Sequence, residues 1–244
     1  CALPIYLSVM SSQRANEKGL ELLFDIAPDI PRSLLGDPLR LGQILINLVS
    51  NAVKFTEQGY VHLQVRQQAR DDDQLTLQFT IRDTGIGMTP EQTSRLFQAF
   101  TQADGSTTRR FGGTGLGLTI ARHLVEQMGG TIQVNSEPDV GSEFSFAIQL
   151  TANQIMNEKR RLIPGAITGL RVLGVDDNAV ACDILLAALQ QLPLQAEAVT
   201  SANQAWQRLQ QANQEGTPFH LLMTDWQMPE MNGIELAQHA QELP

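Results

Sequence analysis

Residues 112–118 have the sequence Gly-Gly-Thr-Gly-Leu-Gly-Leu and lead directly into the helical stretch 119–126. A glycine cluster that opens a helix presents backbone N–H groups and the positive end of the helix dipole, which together suit a bound phosphate group. Glycine-rich loops are common, so this stretch alone is a weak signal. The prediction of a phosphate site therefore depends on the segments that precede the loop.

A helix is predicted to begin at Pro38, with Asp37 as its N-cap. Apolar residues then recur at helical spacing and define a buried face. Asn47, Asn51 and Lys54 fall on a neighbouring face, about one turn apart. Asparagine inside a helix costs helix propensity, which indicates a function for this pair. Amide oxygens suit Mg²⁺; exposed or capping amides are the alternative interpretation.

The segment from Asp83 to Gly87, Asp-Thr-Gly-Ile-Gly, follows a hairpin predicted from strands 59–68 and 74–82. At a strand end, Asp83 can accept a hydrogen bond from the exocyclic amine of adenine. Gly85 and Gly87 let the backbone approach the base closely. In isolation an ordinary turn explains the tripeptide better, but its place between the polar helix and the glycine loop favours nucleotide binding.

In this order the three segments resemble the nucleotide-binding domain of sensor histidine kinases, within the GHKL ATP-binding superfamily, over residues 19–150. The resemblance implies a two-layer α/β sandwich, the Bergerat fold, that binds ATP with Mg²⁺. It implies that Asn51 ligates Mg²⁺, that Asn47 faces the phosphates and their water, and that Lys54 contacts phosphate. Catalysis in this class is mostly positioning and charge neutralisation.

The resemblance also assigns residues of the adenine turn and the glycine loop. Asp83, Gly85 and Gly87 would contact the base. Arg109 or Arg110 would reach over the γ-phosphate and stabilise developing charge there. The alternative is that they are solvated charges of a lid, the polar and glycine-rich stretch 101–113. The loop residues implied in ATP binding are Gly113, Thr114, Gly115, Leu116 and Gly117.

Residues 170–244 alternate between strand and helix, which predicts a parallel α/β domain. Asp176 and Asp177 end its first strand and Asp225 its third, and such strand ends converge on one edge of the sheet. Clustered carboxylates repel one another unless they share a cation, which predicts Mg²⁺.

The segment resembles the receiver domain of two-component signalling, here an incomplete flavodoxin-like doubly wound sheet. The resemblance implies Asp225 as phosphoacceptor, with Asp176 and Asp177 holding Mg²⁺. Because the sequence stops after the third strand, we expect residues 170–244 to be unstable or inactive alone.

No histidine lies upstream of the ATP-binding segments in the context that this family uses for its phosphoacceptor, and each is expected to be structural or at the surface: His62, His123, His220 and His239. The resemblance therefore implies a hybrid sensor histidine kinase. It would pass the γ-phosphoryl group to a histidine on a separate dimerisation domain, then to Asp225, then to a downstream phosphotransfer or response regulator protein. The parent protein is expected to be a homodimer.

Two other functions stay open. GHKL ATPases of the gyrase, chaperone or mismatch-repair type have a glutamate where Asn47 stands, to activate water as a general base. An asparagine cannot take a proton, which disfavours hydrolysis. The third interpretation is a non-enzymatic module in which nucleotide binding moves the lid and alters partner docking.

The formal net charge of −9 and the lack of a basic stripe argue against nucleic acid as a direct partner. The two cysteines exclude a disulfide framework and a cysteine-based metal site. No apolar stretch approaches the roughly 20 residues that span a bilayer. We therefore expect a cytoplasmic location, with anchoring of the parent protein in the inner membrane left open.

The predicted division is a tail of a preceding helix at 1–18, the ATP-binding domain at 19–150, a linker at 151–169 and the receiver segment at 170–244. The opening pentapeptide 1–5 resembles a cloning scar, and there is no initiator methionine. We therefore expect a gene fragment.

Overall fold

The chain forms two compact units, Cys1–Asn157 and Glu158–Pro244. The division falls inside the predicted linker 151–169. The computed structural model describes residues 3–31, 33–97, 116–153 and 167–243.

A mixed sheet with helices on one face builds the first unit. Its elements are α1 (Leu3–Lys18), β1 (Glu21–Ile26), β2 (Leu34–Leu35), α2 (Pro38–Phe55), β3 (Tyr60–Asp71), β4 (Gln74–Asp83), α3 (Pro90–Arg95), α4 (Gly117–Gln127), β5 (Ile132–Glu137) and β6 (Gly141–Ala152). The strand order is β1-β3-β4-β6-β2, with β5 also paired to β6. Only β1 and β3 are parallel among these pairs. The predicted two-layer α/β sandwich is confirmed.

Helix α2 begins as the sequence predicts. The Asp37 side chain accepts hydrogen bonds from the backbone N–H groups of Leu39 and Arg40, at 3.1 and 3.0 Å. Pro38 occupies the first turn, where its missing N–H costs no hydrogen bond. The helix buries an apolar face, with each Leu, Ile or Val side chain contributing about 2 kcal/mol of burial free energy: Leu41, Ile44, Leu45, Leu48, Val49 and Val53.

The sheet buries one face against these helices. Alternate residues of β4 are buried, as the sequence predicts, and Phe79 of this strand stacks on Phe146 of β6 with ring centroids 5.0 Å apart. The hairpin strands β3 and β4 run longer than predicted. The reason is that Asp72 adopts φ +49° and makes a tight turn.

Helix α1 begins at Leu3, so it includes part of the pentapeptide 1–5 that resembles a cloning scar. Pro4 is compatible with this because the first helical turn has N–H groups without helical partners anyway. The helix ends at Gly19, which has φ +67°. Buried Leu7 and Ala15 join α1 to the core of the first unit.

The second unit is a three-stranded parallel sheet in the order β8-β7-β9, which confirms the predicted alternation. Its elements are β7 (Arg171–Val175), α5 (Ala179–Leu189), β8 (Gln195–Val199), α6 (Ala202–Gln214), β9 (Leu221–Thr224) and α7 (Gly233–Gln241). A small core of its own includes Leu173, Val175, Ala205 and Leu236.

Candidate active site

The polar face of α2 meets the start of α4. Asn47, Asn51 and Lys54 are all partly buried on α2. A Cβ atom on Gly117 would lie 3.6 Å from Oδ1 of Asn47, an ordinary van der Waals distance, so this amide lies beside the first turn of α4. Among the described residues, no side chain caps the first turn of α4. Its N–H groups therefore present positive partial charge beside the amide of Asn47, which suits a bound anion.

Lys54 carries the positive charge of this face. Burial, followed by the positive charge of Arg14 on α1, lowers the pKa of Lys54 below its usual value. Its ammonium lies 4.7 Å from the centroid of the Phe55 ring. An ammonium whose charged form is disfavoured by its surroundings gains more from a bound anion than a fully solvated one does.

Asp83 is the most buried acid of the candidate site, with 6% of its surface exposed. Its Oδ1 accepts a hydrogen bond from the N–H of Gly85 at 2.9 Å. Burial raises the pKa of Asp83, while hydrogen bonds from the backbone N–H groups of Gly85 and Ser142 oppose that shift. A buried carboxyl with fixed orientation is suited to recognising a donor such as an amine.

Glycine is required around Asp83 by close backbone contacts. A Cβ on Gly85 would lie 2.5 Å from the carbonyl oxygen of Phe55, at the end of α2. Gly87 has φ +61°, and its Cβ would lie 1.9 Å from the carbonyl oxygen of Glu137. The turn after Asp83 is thus wedged between α2 and the β5–β6 connection, which fixes it relative to the Asn47 face.

Five residues of the predicted site lie outside the described residues: Arg109, Arg110, Gly113, Thr114 and Gly115. Leu116 and Gly117, which follow them, open α4. The roles of all seven stay predictions.

All four histidines make contacts within their own unit. His62 on β3 is near Asp25, with Nε2 3.8 Å from a carboxylate oxygen, and burial lowers the pKa of this imidazole. Nδ1 of His220 accepts a hydrogen bond from the N–H of Arg171. His123 contacts Gln127 on α4, and His239 lies beside the Trp206 ring.

The predicted receiver carboxylates lie at the ends of neighbouring strands. Asp176 follows β7 and Asp225 follows β9, and these strands pair in parallel. Burial raises the pKa of Asp176, and the charges of Asp225 and Asp177 raise it further against a hydrogen bond from the Asn178 backbone. In the part of the chain that the structure describes, no three Asp, Glu, His or Cys side chains form a ready metal-binding group. The chemistry of the donors suits Mg²⁺.

Gly233 packs directly behind Asp225. A Cβ at this position would lie 2.1 Å from the Asp225 carbonyl oxygen and 2.9 Å from the Thr224 side chain. Asn232 caps α7, and Glu235 completes a capping box with it. The Asn-Gly pair therefore starts α7 and lets it approach the strand end that carries Asp225.

Two family models match the chain in tandem. Residues 36–152 match "Histidine kinase-, DNA gyrase B-, and HSP90-like ATPase", and residues 172–244 match "Response regulator receiver domain". The chain belongs to the hybrid sensor histidine kinases. In this kinase region, the segments on α2, after β4 and before α4 all fall within the ATPase match.

The hybrid kinase is similar to longer signalling proteins. Signal transduction histidine-protein kinase BarA of Escherichia coli is 45% identical over 185 residues, which cover 74% of this chain and 20% of BarA. Sensor histidine kinase GacS of Pseudomonas protegens is 37% identical over 230 residues, covering 94% of this chain and 25% of GacS. The chain thus spans about a fifth to a quarter of the length of these relatives.

A crystal structure of full-length ShkA in complex with AMPPNP has the same fold, with a TM-score of 0.67. It is 24% identical and covers 99% of this chain and 55% of ShkA. Among the described residues of the kinase region, no helix is both long and apolar enough to cross a membrane.

Sequence analysis missed the contribution of α1 to this site. Lys18 and Arg14 were assigned only to a helix tail, yet Lys18 donates to carbonyls at the end of α2 and the charge of Arg14 acts on Lys54. No pattern within α1 indicates this, because the contact joins residues about 35 positions apart.

Proposed function

We propose that the first unit binds ATP with Mg²⁺ between α2 and the start of α4, and that the γ-phosphoryl group of this ATP passes to a histidine outside this chain. The observation that carries the proposal is the position of Asn47 beside Gly117, which brings the amide face of α2 to a helix N-terminus that no side chain of the described residues caps. The turn after Asp83 is fixed at the end of the same helix, because Gly85 packs against the Phe55 carbonyl oxygen. The Asp83 carboxylate, oriented by the Gly85 N–H, would recognise the base.

The residues divide the work by their chemistry. Asn51 would hold Mg²⁺ through its amide oxygen, the bound ion would neutralise charge on the phosphates, and Asn47 would face the phosphates and their water. Lys54 would contact a phosphate oxygen as a point charge. Asp83 would accept a hydrogen bond from the exocyclic amine of adenine, and Gly87 would let the backbone approach the base. Arg109 or Arg110, with the N–H groups of the loop from Gly113 to Gly117, would complete the cover of the γ-phosphate.

Phosphoryl transfer, rather than hydrolysis, follows from the residue at position 47. A hydrolase of this superfamily uses a glutamate there as a general base, and an amide cannot accept the proton of water. The attacking group is therefore an imidazole nitrogen of the acceptor histidine, which needs no such base; as the phosphorus–nitrogen bond forms, the bond between the γ-phosphorus and the bridging oxygen breaks and ADP leaves.

The second unit supports the next step of a relay. The Asp225 carboxylate oxygen would attack the phosphorus of phosphohistidine, the phosphorus–nitrogen bond would break, and an acyl phosphate would form. Asp176 and Asp177 would hold Mg²⁺ there. The partners we propose are a histidine-bearing dimerisation domain of a homodimeric parent, and a downstream phosphotransfer or response regulator protein.

The test is incubation with Mg²⁺ and γ-labelled ATP, with and without a separately supplied histidine-bearing dimerisation domain. Label should appear on that domain only when the kinase region is present. Asn51→Ala should lower the labelling by at least about 100-fold, since Mg²⁺ ligation is central to charge neutralisation. Asn135→Ala, at an exposed position on β5, is the matched control and should transfer normally.

Two outcomes would contradict the proposal. Release of free phosphate without the acceptor domain would make the chain an ATPase and overturn the argument from Asn47. Tight nucleotide binding with no transfer to any cognate acceptor would favour the non-enzymatic module. Acid-labile label on the acceptor is the expected chemistry of phosphohistidine.

A further inference from the structure

The C-terminal turn of α2 is held by an ammonium from another helix. Nζ of Lys18, at the end of α1, donates to the carbonyl oxygens of Val53, Lys54 and Thr56 at 2.9, 2.9 and 2.8 Å. An ammonium has three N–H donors, so all of them are used. The last carbonyls of a helix lack helical partners, and a cation there also interacts favourably with the helix dipole.

The same turn of α2 holds the adenine-recognition segment. The carbonyl oxygen of Phe55, which lies between the carbonyls bound by Lys18, accepts a hydrogen bond from the N–H of Ile86 at 3.3 Å. Gly85 packs against that same oxygen. Lys54 projects from this turn, and Asn51 lies one turn earlier. The position of this backbone therefore sets both sides of the proposed nucleotide site.

Helix α1 adds a second cation at this junction. The charge of Arg14, one turn before Lys18, acts on Lys54 and helps to lower its pKa. Buried Leu7 and Ala15 fix α1 in the core of the first unit, and Gly19 ends the helix directly after Lys18. Movement of α1 would therefore act on the end of α2 through Lys18, in addition to the apolar packing between the two helices.

We propose that Lys18 is a positioning residue for the nucleotide site, and that it couples the placement of helix α1 to nucleotide affinity. The ammonium does not touch nucleotide; it fixes the α2 turn that presents Lys54 and anchors the Asp83 turn. The proposal rests on the proposed ATP-binding function and extends it to a regulatory contact.

The first test measures binding of a non-hydrolysable ATP analogue with Mg²⁺ to the full chain by calorimetry. Lys18→Met keeps the alkyl stem but removes the three donors, and it should weaken binding about tenfold, within the usual range of coupling between sites. Lys18→Arg keeps the charge and several donors and should recover part of the affinity. Arg70→Met is the matched control, since Arg70 also donates to a backbone carbonyl, that of Asp72, at the far hairpin; it should bind normally.

Binding is measured at least about 10 °C below the melting temperature of each variant, so that a loss of affinity can be distinguished from a loss of folding stability. Such a role would lower the melting temperature of Lys18→Met and leave its affinity within about twofold of the unmodified chain, and that result would overturn the proposal. A wild-type chain that binds no nucleotide would instead overturn the proposed function itself.

A second measurement needs no variant and applies even if Lys18→Met does not fold. Coupling is reciprocal, so saturating nucleotide should slow backbone hydrogen exchange in residues 11–20 of the wild-type chain by about fivefold. Unchanged exchange in this segment, while the turn after Asp83 becomes protected, would contradict the coupling through Lys18.

Discussion

Replacing Gly87 by alanine isolates the close contact that fixes the turn after Asp83. The new Cβ would lie 1.9 Å from the Glu137 carbonyl oxygen, which belongs to the backbone and cannot rotate away. Forcing apart well-packed atoms costs about 1–3 kcal/mol. The left-handed backbone at φ +61° adds about 1 kcal/mol for a residue with a Cβ. We therefore expect Gly87→Ala to lower the free energy of unfolding of the first unit by about 2–4 kcal/mol.

Gly129→Ala is the matched control for the cost of placing a Cβ on a left-handed backbone. Gly129 has φ +77°, but a Cβ there has no heavy atom within 4 Å. It ends α4 in the same unit, so both variants are followed in the same transition. We expect a loss of only about 1 kcal/mol for this control. The difference between the two variants measures the steric contact alone.

Urea unfolding by circular dichroism provides the measurement. Trp206 and Trp226 are the two tryptophans of the chain, and both lie in the second unit. Their fluorescence therefore follows that unit and allows its transition to be separated. Equal losses for Gly87→Ala and Gly129→Ala, within about 0.5 kcal/mol, would refute the steric argument. The nucleotide affinity of Gly87→Ala should also fall, while that of Gly129→Ala should not.

Three further predictions concern the carboxyl of Asp83, the imidazole of His62 and the start of α7. Asp83→Asn should weaken nucleotide binding by at least about tenfold. It should not lower the free energy of unfolding at pH 7, because the raised pKa of Asp83 means that its buried carboxylate costs stability above the unfolded pKa. A large loss of stability without loss of affinity would contradict this prediction. His62 has a lowered pKa in the folded state, so the stability that it contributes is present above the unfolded pKa of about 6.5 and is lost as the pH falls below that value. His62→Gln should therefore reduce the decrease in the free energy of unfolding between about pH 7.5 and 5.5. An unchanged pH dependence would contradict the lowered pKa of His62. Gly233→Ala should destabilise the second unit by about 2 kcal/mol through the contact with the Asp225 carbonyl, as followed by tryptophan fluorescence, whereas Gly216→Ala, with open space around its Cβ, should lose about 1 kcal/mol.

Local chemistry made much of the fold predictable. The Asp37 cap and the alternation in β4 each depend on residues a few positions apart, and each is confirmed. The same is true of the parallel alternation in the second unit. The helical structure of residues 3–5 was not predicted, because the pentapeptide 1–5 was interpreted as a cloning scar, although the first turn of a helix accepts proline.

The motif residues were visible in the sequence for a related reason. Two asparagines in a helix and glycines beside an aspartate violate local propensity, and such conflicts indicate sites where another requirement prevails. The sequence alone thus determined the order in which an ATPase domain and a receiver domain follow each other, and it predicted which residues of α2 and of the Asp83 turn form a nucleotide site.

Only the tertiary structure decided how those segments meet. It placed Asn47 beside Gly117, 70 positions away, and wedged Gly87 against Glu137. It buried Asp83 enough to raise its pKa, and it gave three carbonyls of α2 to Lys18. Such contacts depend on the docking of whole elements, whose energy is spread over many apolar side chains. A carbonyl at a helix end always needs a partner, but which side chain reaches it is settled only when the helices pack.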